Sequence, residues 1–193
     1  MRVLSCGSVG ALVSTMDAGP PRATLDHVQA HDAALQAVVD RGVTAAAVRF
    51  GQSFASDDEA CRHVAERGER VARLLDEYDG AVEVRLLLAN AQGAEEPAPL
   101  APQKDLGPGQ AYLEQLRSHD HRLRQLGLRG ALGPVVRAER VEELPKSRGV
   151  VFAHLVPRDQ LAAYREAVAA LPALADAKMV GPLALYSFGE PEQ

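Results

Sequence analysis

A nearly continuous apolar run in the last third of the chain limits the possible folds most strongly. Residues 150–156 read Val-Val-Phe-Ala-His-Leu-Val, which predicts a central strand buried on both faces of a sheet. Apolar residues at helical spacing follow it, at Leu161, Tyr164, Val168 and Leu171, and predict an amphipathic helix. The chain is therefore expected to build a sheet with helices packed against it.

A second strong pattern lies between residues 56 and 80. Ser56 followed by Glu59 forms a capping box, in which each side chain bonds the other residue's backbone N–H, and it predicts a helix start. Gly80 predicts the helix end. Between them the apolar positions repeat with 3,4,3,4,3 spacing, which indicates one continuous helix with a single packing seam. The seam consists of Cys61, Val64, Gly68, Val71, Leu75 and Tyr78.

The remaining patterns give the order of elements. Strands are predicted at 9–14, 43–50 and 81–88, with Glu83 and Arg85 facing outward in the last. A helix is predicted over 22–41, and its apolar stripe predicts the side facing the core. That stripe consists of Leu25, Val28, Leu35, Val38 and Val39, with His31 on the same side.

The full order, β-α-β-α and then β-α-(β)-β-α-β, predicts an α+β protein with two small α/β-layer domains. We place the boundary near residue 80, giving domains 1–80 and 81–193. The second has the ferredoxin-like order of elements. A Gly- and Pro-rich segment at 91–109 predicts a flexible loop inside it.

Charge and hydropathy restrict the classes of partner. The chain carries 21 Lys and Arg against 26 Asp and Glu, a net charge of −5, which disfavours nucleic-acid binding. Apolar stretches fall far short of the 18 residues that a membrane-spanning helix needs, and the N-terminus lacks a signal-peptide core. We therefore expect a cytoplasmic protein that binds neither nucleic acid nor membrane.

The sequence offers few candidates for chemistry. Cys6 and Cys61 are the only cysteines. They lack metal-type spacing, and Cys61 is interpreted as an inert thiol in the core. His27 and His31 are four residues apart, but the glutamate of a zinc-protease motif is absent. No nucleophile, base and oxyanion donor assemble, so no catalytic residue, metal or cofactor is predicted.

One local charge cluster is interpreted in two ways. The segment from Arg117 to Arg140 contains six arginines and only two acidic residues. It is therefore either a docking patch for an acidic partner or a solvated helix face. The cluster supplies three candidate partner-binding residues, Arg117, Arg122 and Arg124.

Three sequence blocks resemble a known family. They are Val-Arg-Phe-Gly at 48–51, Gly-Pro-Gly-Gln-Ala-Tyr-Leu at 107–113, and Gly-Pro-Leu-Ala-Leu-Tyr-Ser-Phe at 181–188. Together with Ala-Leu-Val-Ser at 11–14, their order resembles the gas vesicle accessory proteins GvpL/GvpF over nearly the whole chain. Members typically carry "LPLRFG", "GrAYL" and "GPWPPYSF". The chain departs from the family in lacking the usual Tyr-rich first strand.

The resemblance implies a non-enzymatic role in gas vesicle assembly. Such a protein would bind the hydrophobic shell subunit, or other accessory proteins, and cover apolar surface that otherwise aggregates. It further implies candidate partner-binding residues in the matching blocks, namely Arg49, Phe50, Tyr186 and Phe188. Arg49 could instead tie a strand end to a carboxylate, and Tyr186 and Phe188 could instead pack in the core.

Two other functional classes remain open from the sequence. A ferredoxin-like module that binds a small regulatory ligand would have a defined pocket and gain thermal stability with its ligand. A small enzyme using His119 or His121 would place a histidine with a shifted pKa in a cleft.

Overall fold

The protein is described from a computed structural model covering residues 1–16, 19, 22–89, 128–144 and 149–189. The described residues form both α-helices and small β-sheets, which confirms the predicted α+β class. The chain divides into two compact units. The first combines Met1–Glu83 with Gly181–Gln193, and the second is Val84–Val180. The division predicted from sequence placed all of residues 81–193 together, whereas here the C-terminal block groups with the N-terminal part of the chain.

The first unit begins with a hairpin of β1 (Arg2–Cys6) and β2 (Val9–Val13). Cys6 pairs with Val9 across a two-residue turn, and Gly7 in that turn has φ +73°, which hairpin turns of this length require. β2 confirms the predicted strand at 9–14. The expectation that no strand precedes β2 was wrong, because β1 occupies that place, but β1 lacks the Tyr-rich start that is typical of the family.

Three helices follow in the first unit. α1 (Leu25–Val39) begins at Thr24, whose hydroxyl accepts the His27 N–H. α2 (Asp57–Ala65) begins at Ser56 and α3 (Gly68–Glu77) comes directly after it. The predicted single helix is therefore broken. Arg67 lies outside helical geometry at φ −113°, ψ 2°, and Gly68 is the residue that favours the helix least on that seam.

The predicted strand at 43–50 is reduced to an extended segment. Only Ala46 makes a β-bridge, with Leu185 in parallel orientation. Val48 is 58% exposed, so the apolar composition of this segment does not translate into a buried strand.

A four-stranded sheet has the order β4-β5-β3-β6. Its strands are β3 (Ala81–Ala89), β4 (Ala138–Leu144), β5 (Gly149–Pro157) and β6 (Lys178–Leu183). β5 is an interior strand and is buried from Gly149 to Val156, which confirms the prediction from the apolar run. β4 pairs with it antiparallel, Glu139 opposite His154. The Gly181–Pro182 peptide in β6 is cis.

The second unit has its own apolar core. α4 (Leu128–Leu132) and α5 (Leu161–Ala169) contribute to it, as does one face of the sheet. The core contains Val84, Leu86, Leu128, Leu132, Val150, Phe152, Val156, Tyr164, Val168 and Leu174. α5 confirms the helix predicted after the central strand. The predicted loop at 91–109 and the Gly-Pro-Gly-Gln-Ala-Tyr-Leu block at 107–113 lie outside the described residues.

Candidate partner-binding surface

The C-terminal sequence block joins the extended segment at 45–50 in the first unit. The Leu185 N–H donates to the Ala45 carbonyl at 2.8 Å, and the Ala47 N–H donates to the Leu185 carbonyl at 3.1 Å. The blocks at 48–51 and 181–188 are distant in sequence, yet these bonds make them neighbours. Both blocks were identified in the sequence, but no sequence pattern indicated that they are neighbours in the fold.

A buried carboxylate anchors the same block. Glu83 is fully buried, and it accepts the Ser187 backbone N–H at 2.6 Å and the Ser187 hydroxyl at 2.9 Å. Such charge-assisted hydrogen bonds offset the cost of removing a carboxylate from water. The expectation that Glu83 faces outward was therefore wrong, because alternation along one strand does not reveal a polar partner about a hundred residues later.

Helix α1 contacts both blocks through polar and aromatic groups. His31 Nε2 donates to the Val48 carbonyl at 3.2 Å, and the His31 and Phe50 rings meet edge to face at 5.6 Å. One residue further on, Asp32 Oδ1 accepts the Tyr186 hydroxyl at 2.8 Å. These contacts place His31, the block at 48–51 and the C-terminal block on one side of the first unit.

The candidate residues separate into surface and core. Arg49 is exposed, and no ion pair joins it to another described residue. Phe50 and Tyr186 are half-buried. Phe188 is only 2% exposed and packs edge to face with Tyr78 at 6.1 Å. Its ring packs in the core, which was the alternative that the sequence left open for this residue.

The three arginines from the basic cluster, Arg117, Arg122 and Arg124, lie outside the described residues, as do His119 and His121. Their roles stay as predictions from sequence.

An apolar patch borders the same contacts. Leu25 is 71% exposed and Val28 is 42% exposed, although both belong to the stripe that was predicted to face the core. Val28 precedes His31 by one turn of α1, so it lies on the helix face that meets Val48. We use the name α1 face for Leu25 and Val28 of α1 together with Val48 and Arg49 of the extended segment beside it. The predicted burial of Leu25 and Val28 was wrong, because periodicity identifies an apolar face of a helix but does not show whether another element covers it.

Both histidines of α1 are hydrogen-bonded to backbone carbonyls. His27 Nδ1 lies 2.8 Å from the Arg22 carbonyl and His31 bonds Val48. Among the described residues, no group of three or more His, Cys, Asp or Glu could hold a metal ion. A shallow depression of about 490 Å³ lies on the first unit. It is lined by Gly42, Val43, Thr44, Leu75, Asp76 and Asp79.

A buried polar relay lies in the second unit. His154 is fully buried, with its Nδ1 2.6 Å from the Tyr164 hydroxyl and its Nε2 3.0 Å from Glu139 Oε2. Burial, and secondarily the Glu139 charge, raises the pKa of Tyr164 well above its ordinary value. A fully buried tyrosine and histidine have no access to a substrate, so the arrangement is structural.

Comparison with solved structures places the fold in a known class. The chain superposes on the crystal structure of the gas vesicle protein GvpF from Microcystis aeruginosa with a TM-score of 0.68 and 17% identity, covering 92% of this chain and 84% of that one. For GvpF from Anabaena sp. PCC7120 the TM-score is 0.68 at 16% identity, with 90% and 78% covered. At these identities the likeness shows the fold. No curated protein sequence matches significantly.

The family is shown by sequence. The profile of the family described as "Gas vesicle synthesis protein GvpL/GvpF" matches residues 1–190. The chain belongs to this family, which confirms the resemblance seen in the sequence blocks and supports an accessory role in gas vesicle formation. In the part of the chain that the structure describes, no helix is long and apolar enough to cross a membrane.

Proposed function

We propose that this protein is a non-enzymatic gas vesicle assembly factor that binds the hydrophobic shell subunit, or other accessory proteins, and keeps apolar surface covered before assembly. Family membership over residues 1–190 supports the assembly role. The α1 face supports a role in binding. The proposed setting is the cytoplasm, in association with gas vesicles and without nucleic acid or membrane as partners.

The observation that carries the binding proposal is the exposure of Leu25, Val28 and Val48 around a rigid contact. The His31–Val48 hydrogen bond and the His31–Phe50 ring contact fix the extended segment against α1. Apolar side chains held on a rigid frame lose little conformational entropy when a partner covers them. An apolar segment of the shell subunit is the kind of partner that such a surface fits.

Arg49 is proposed to orient the partner. It is exposed beside Val48 and Phe50 at the edge of the patch. Charged groups at the rim of an interface act mainly on association rate and on partner choice. A carboxylate or a backbone carbonyl of the bound subunit would be its counterpart.

The second unit is proposed to have ferredoxin-like topology. The strand order β4-β5-β3-β6 supports it, because numbering these strands one to four along the chain gives the spatial order 2-3-1-4. α5 between β5 and β6 occupies the place of the second crossover helix. We propose that this unit stabilises the protein and that the first unit carries the binding surface.

The test is co-expression with the major shell subunit, followed by affinity capture and measurement of soluble shell protein. The wild-type chain is expected to capture the subunit and raise its soluble fraction. The double variant V28S/V48S is expected to lose most of this effect, because it removes the centre of the apolar patch. Neither side chain is buried, so the fold should be retained.

Val3→Ser is the matched control. Val3 is 70% exposed on β1, where it pairs with Leu12 of β2, and it does not belong to the α1 face, so this variant should capture shell protein as well as wild type. Capture by V28S/V48S equal to that of V3S would contradict the proposed surface. If wild type captures neither the shell subunit nor any gas vesicle accessory protein tested individually, the binding function itself is wrong.

A further inference from the structure

The only two cysteines of the chain are joined in the structure. Cys6, at the end of β1, and Cys61, in α2, form a disulfide across 55 residues of sequence, with their Cα atoms 4.9 Å apart. The interpretation of Cys61 as an inert thiol was therefore wrong. Its position on the apolar seam of a helix suggested packing alone, and nothing in its spacing pointed to Cys6.

The disulfide holds a hairpin that packs against α2 and α3 but buries few of its own side chains. Along β1 and β2 only Cys6 and Val9 are buried, while Val3 is 70% and Leu12 39% exposed. A two-stranded hairpin is at best marginally stable alone. Its other polar link to α2 is the Arg2–Asp57 ion pair, whose two side chains are about half exposed. Exposed pairs of this kind contribute little.

The two links act on one face of α2. Asp57 and Cys61 are four residues apart and therefore lie one helical turn from each other on the same side. The ion pair meets β1 at Arg2 and the disulfide meets it at Cys6, so the strand is fixed to α2 at both ends. With the disulfide opened, the links that remain are the solvent-exposed ion pair, the small buried area at Cys6 and Val9, and the packing of the hairpin against α2 and α3.

We propose that the Cys6–Cys61 pair is a reversible thiol switch that docks the β1–β2 hairpin on α2 when oxidised and releases it when reduced. The co-reactants are a low-molecular-weight thiol and its disulfide, such as glutathione. The switch adds redox control to the first unit and does not depend on which gas vesicle protein is bound.

Accessibility sets the order of bond exchange. Cys61 is half-buried, whereas Cys6 is only 4% exposed. A thiolate therefore attacks the Cys61 sulfur, forms a mixed disulfide there and releases Cys6 as a thiolate, which takes up a proton. A second thiol then attacks the sulfur of the small molecule, which frees Cys61 and yields the oxidised small-molecule disulfide. Reoxidation runs through the same mixed disulfide, and Cys6 closes the bond.

The first test measures the redox equilibrium of the full chain. The protein is equilibrated in glutathione buffers from fully reduced to fully oxidised ratios, and its free thiols are then alkylated and counted by mass spectrometry. The expected result is interconversion of the two forms within this range. A protein that stays oxidised in reduced glutathione has a permanent structural disulfide, and one that stays reduced in oxidised glutathione does not form the bond. Either result overturns the switch.

The second test determines which cysteine sulfur the small thiol attacks and which backbone amides exchange faster after reduction. Brief treatment of the oxidised protein with glutathione, followed by acid quenching and peptide mapping, should place the mixed disulfide on Cys61. Hydrogen exchange should show faster exchange of the β1–β2 amides after reduction, with β5 amides unchanged. Mixed disulfide mainly on Cys6, or hairpin amides equally protected in both redox states, would overturn the proposal.

Cys6→Ser provides an independent comparison. It should reproduce the hairpin exchange of the reduced wild type and lower the Tm by roughly 5–15 °C relative to the oxidised protein. A Tm and a hairpin exchange rate equal to those of the oxidised wild type would show that the bond does not hold the hairpin.

Discussion

The Tyr164 hydroxyl and Nδ1 of His154 share a hydrogen bond of 2.6 Å, inside the core of the second unit. On the other side of the ring, Nε2 of His154 lies 3.0 Å from Oε2 of Glu139. The helix α5, the interior strand β5 and the strand β4 are thus joined by a single polar chain. Buried polar chains of this kind contribute most when every member is bonded.

This relay predicts a loss of stability in alkali. Burial and then the Glu139 charge raise the folded-state pKa of Tyr164 above its ordinary value of 10.0. The neutral phenol therefore contributes stability that is fully present below pH ~10 and declines as the pH rises further. One such group changes the free energy of unfolding by up to about 1.4 kcal/mol per pH unit. Urea unfolding measured from pH 8 to 11.5 should show this decline.

Tyr164→Phe separates the relay from other alkaline effects. The variant should lose about 1–3 kcal/mol at pH 8, since His154 Nδ1 loses its buried partner. Its unfolding free energy should then fall less steeply above pH 10 than that of wild type. An identical alkaline slope in the two proteins would mean that Tyr164 is not the group responsible.

The Glu83–Ser187 contact makes a prediction for the first unit. Ser187→Ala deletes the 2.9 Å hydroxyl bond and leaves the 2.6 Å backbone bond to the same carboxylate. A lost hydrogen bond to a buried charge costs about 1.5–3 kcal/mol, so the urea midpoint should fall accordingly. Ser53→Ala, at an exposed position, is the control and should lie within about 0.5 kcal/mol of wild type.

Tyr186 and Asp32 should be energetically coupled. Their 2.8 Å hydrogen bond joins the C-terminal block to α1. Tyr186→Phe and Asp32→Ala, measured singly and together, should give a coupling energy of about 0.5–1.5 kcal/mol. Strictly additive effects would show that this bond does not hold the block against the helix.

Local signals predicted the elements better than they predicted side-chain environments. The Ser56 half of the capping box is present, since its hydroxyl accepts the Glu59 N–H at 3.2 Å, whereas the Glu59 carboxylate accepts the N–H of Ala55, at 2.8 Å, in place of that of Ser56. The strand at 150–156 and the helix after it are present as well. These features depend on residues within a few positions of one another, which the sequence displays directly.

Several of the errors concern contacts between distant residues. The burial of Glu83 depends on Ser187, the Cys6–Cys61 bond spans 55 residues, and Val28 is exposed because no described element covers it. Periodicity identifies faces but not their partners. The family resemblance identified the blocks at 48–51 and 181–188 correctly, yet their adjacency required the fold.

The break between α2 and α3 yields a matched pair of glycine substitutions. Gly68 begins α3, and a Cβ built there meets nothing within 4 Å. Gly68→Ala should therefore stabilise the protein by about 0.5–1 kcal/mol, through higher helix propensity and a less flexible unfolded chain. Gly80 also has open space around it, but its φ is +69°. Gly80→Ala should destabilise by about 1 kcal/mol or more.

Comparison of the two variants tests why the helix breaks. Urea unfolding monitored by far-ultraviolet circular dichroism gives both free energies, and the native spectrum reports helix content. If backbone entropy at Gly68 causes the break, Gly68→Ala raises both stability and helicity, while Gly80→Ala lowers stability alone. A destabilised Gly68→Ala protein would instead show that the folded state requires the break, because a continuous helix would displace α3 from β2, against which it packs.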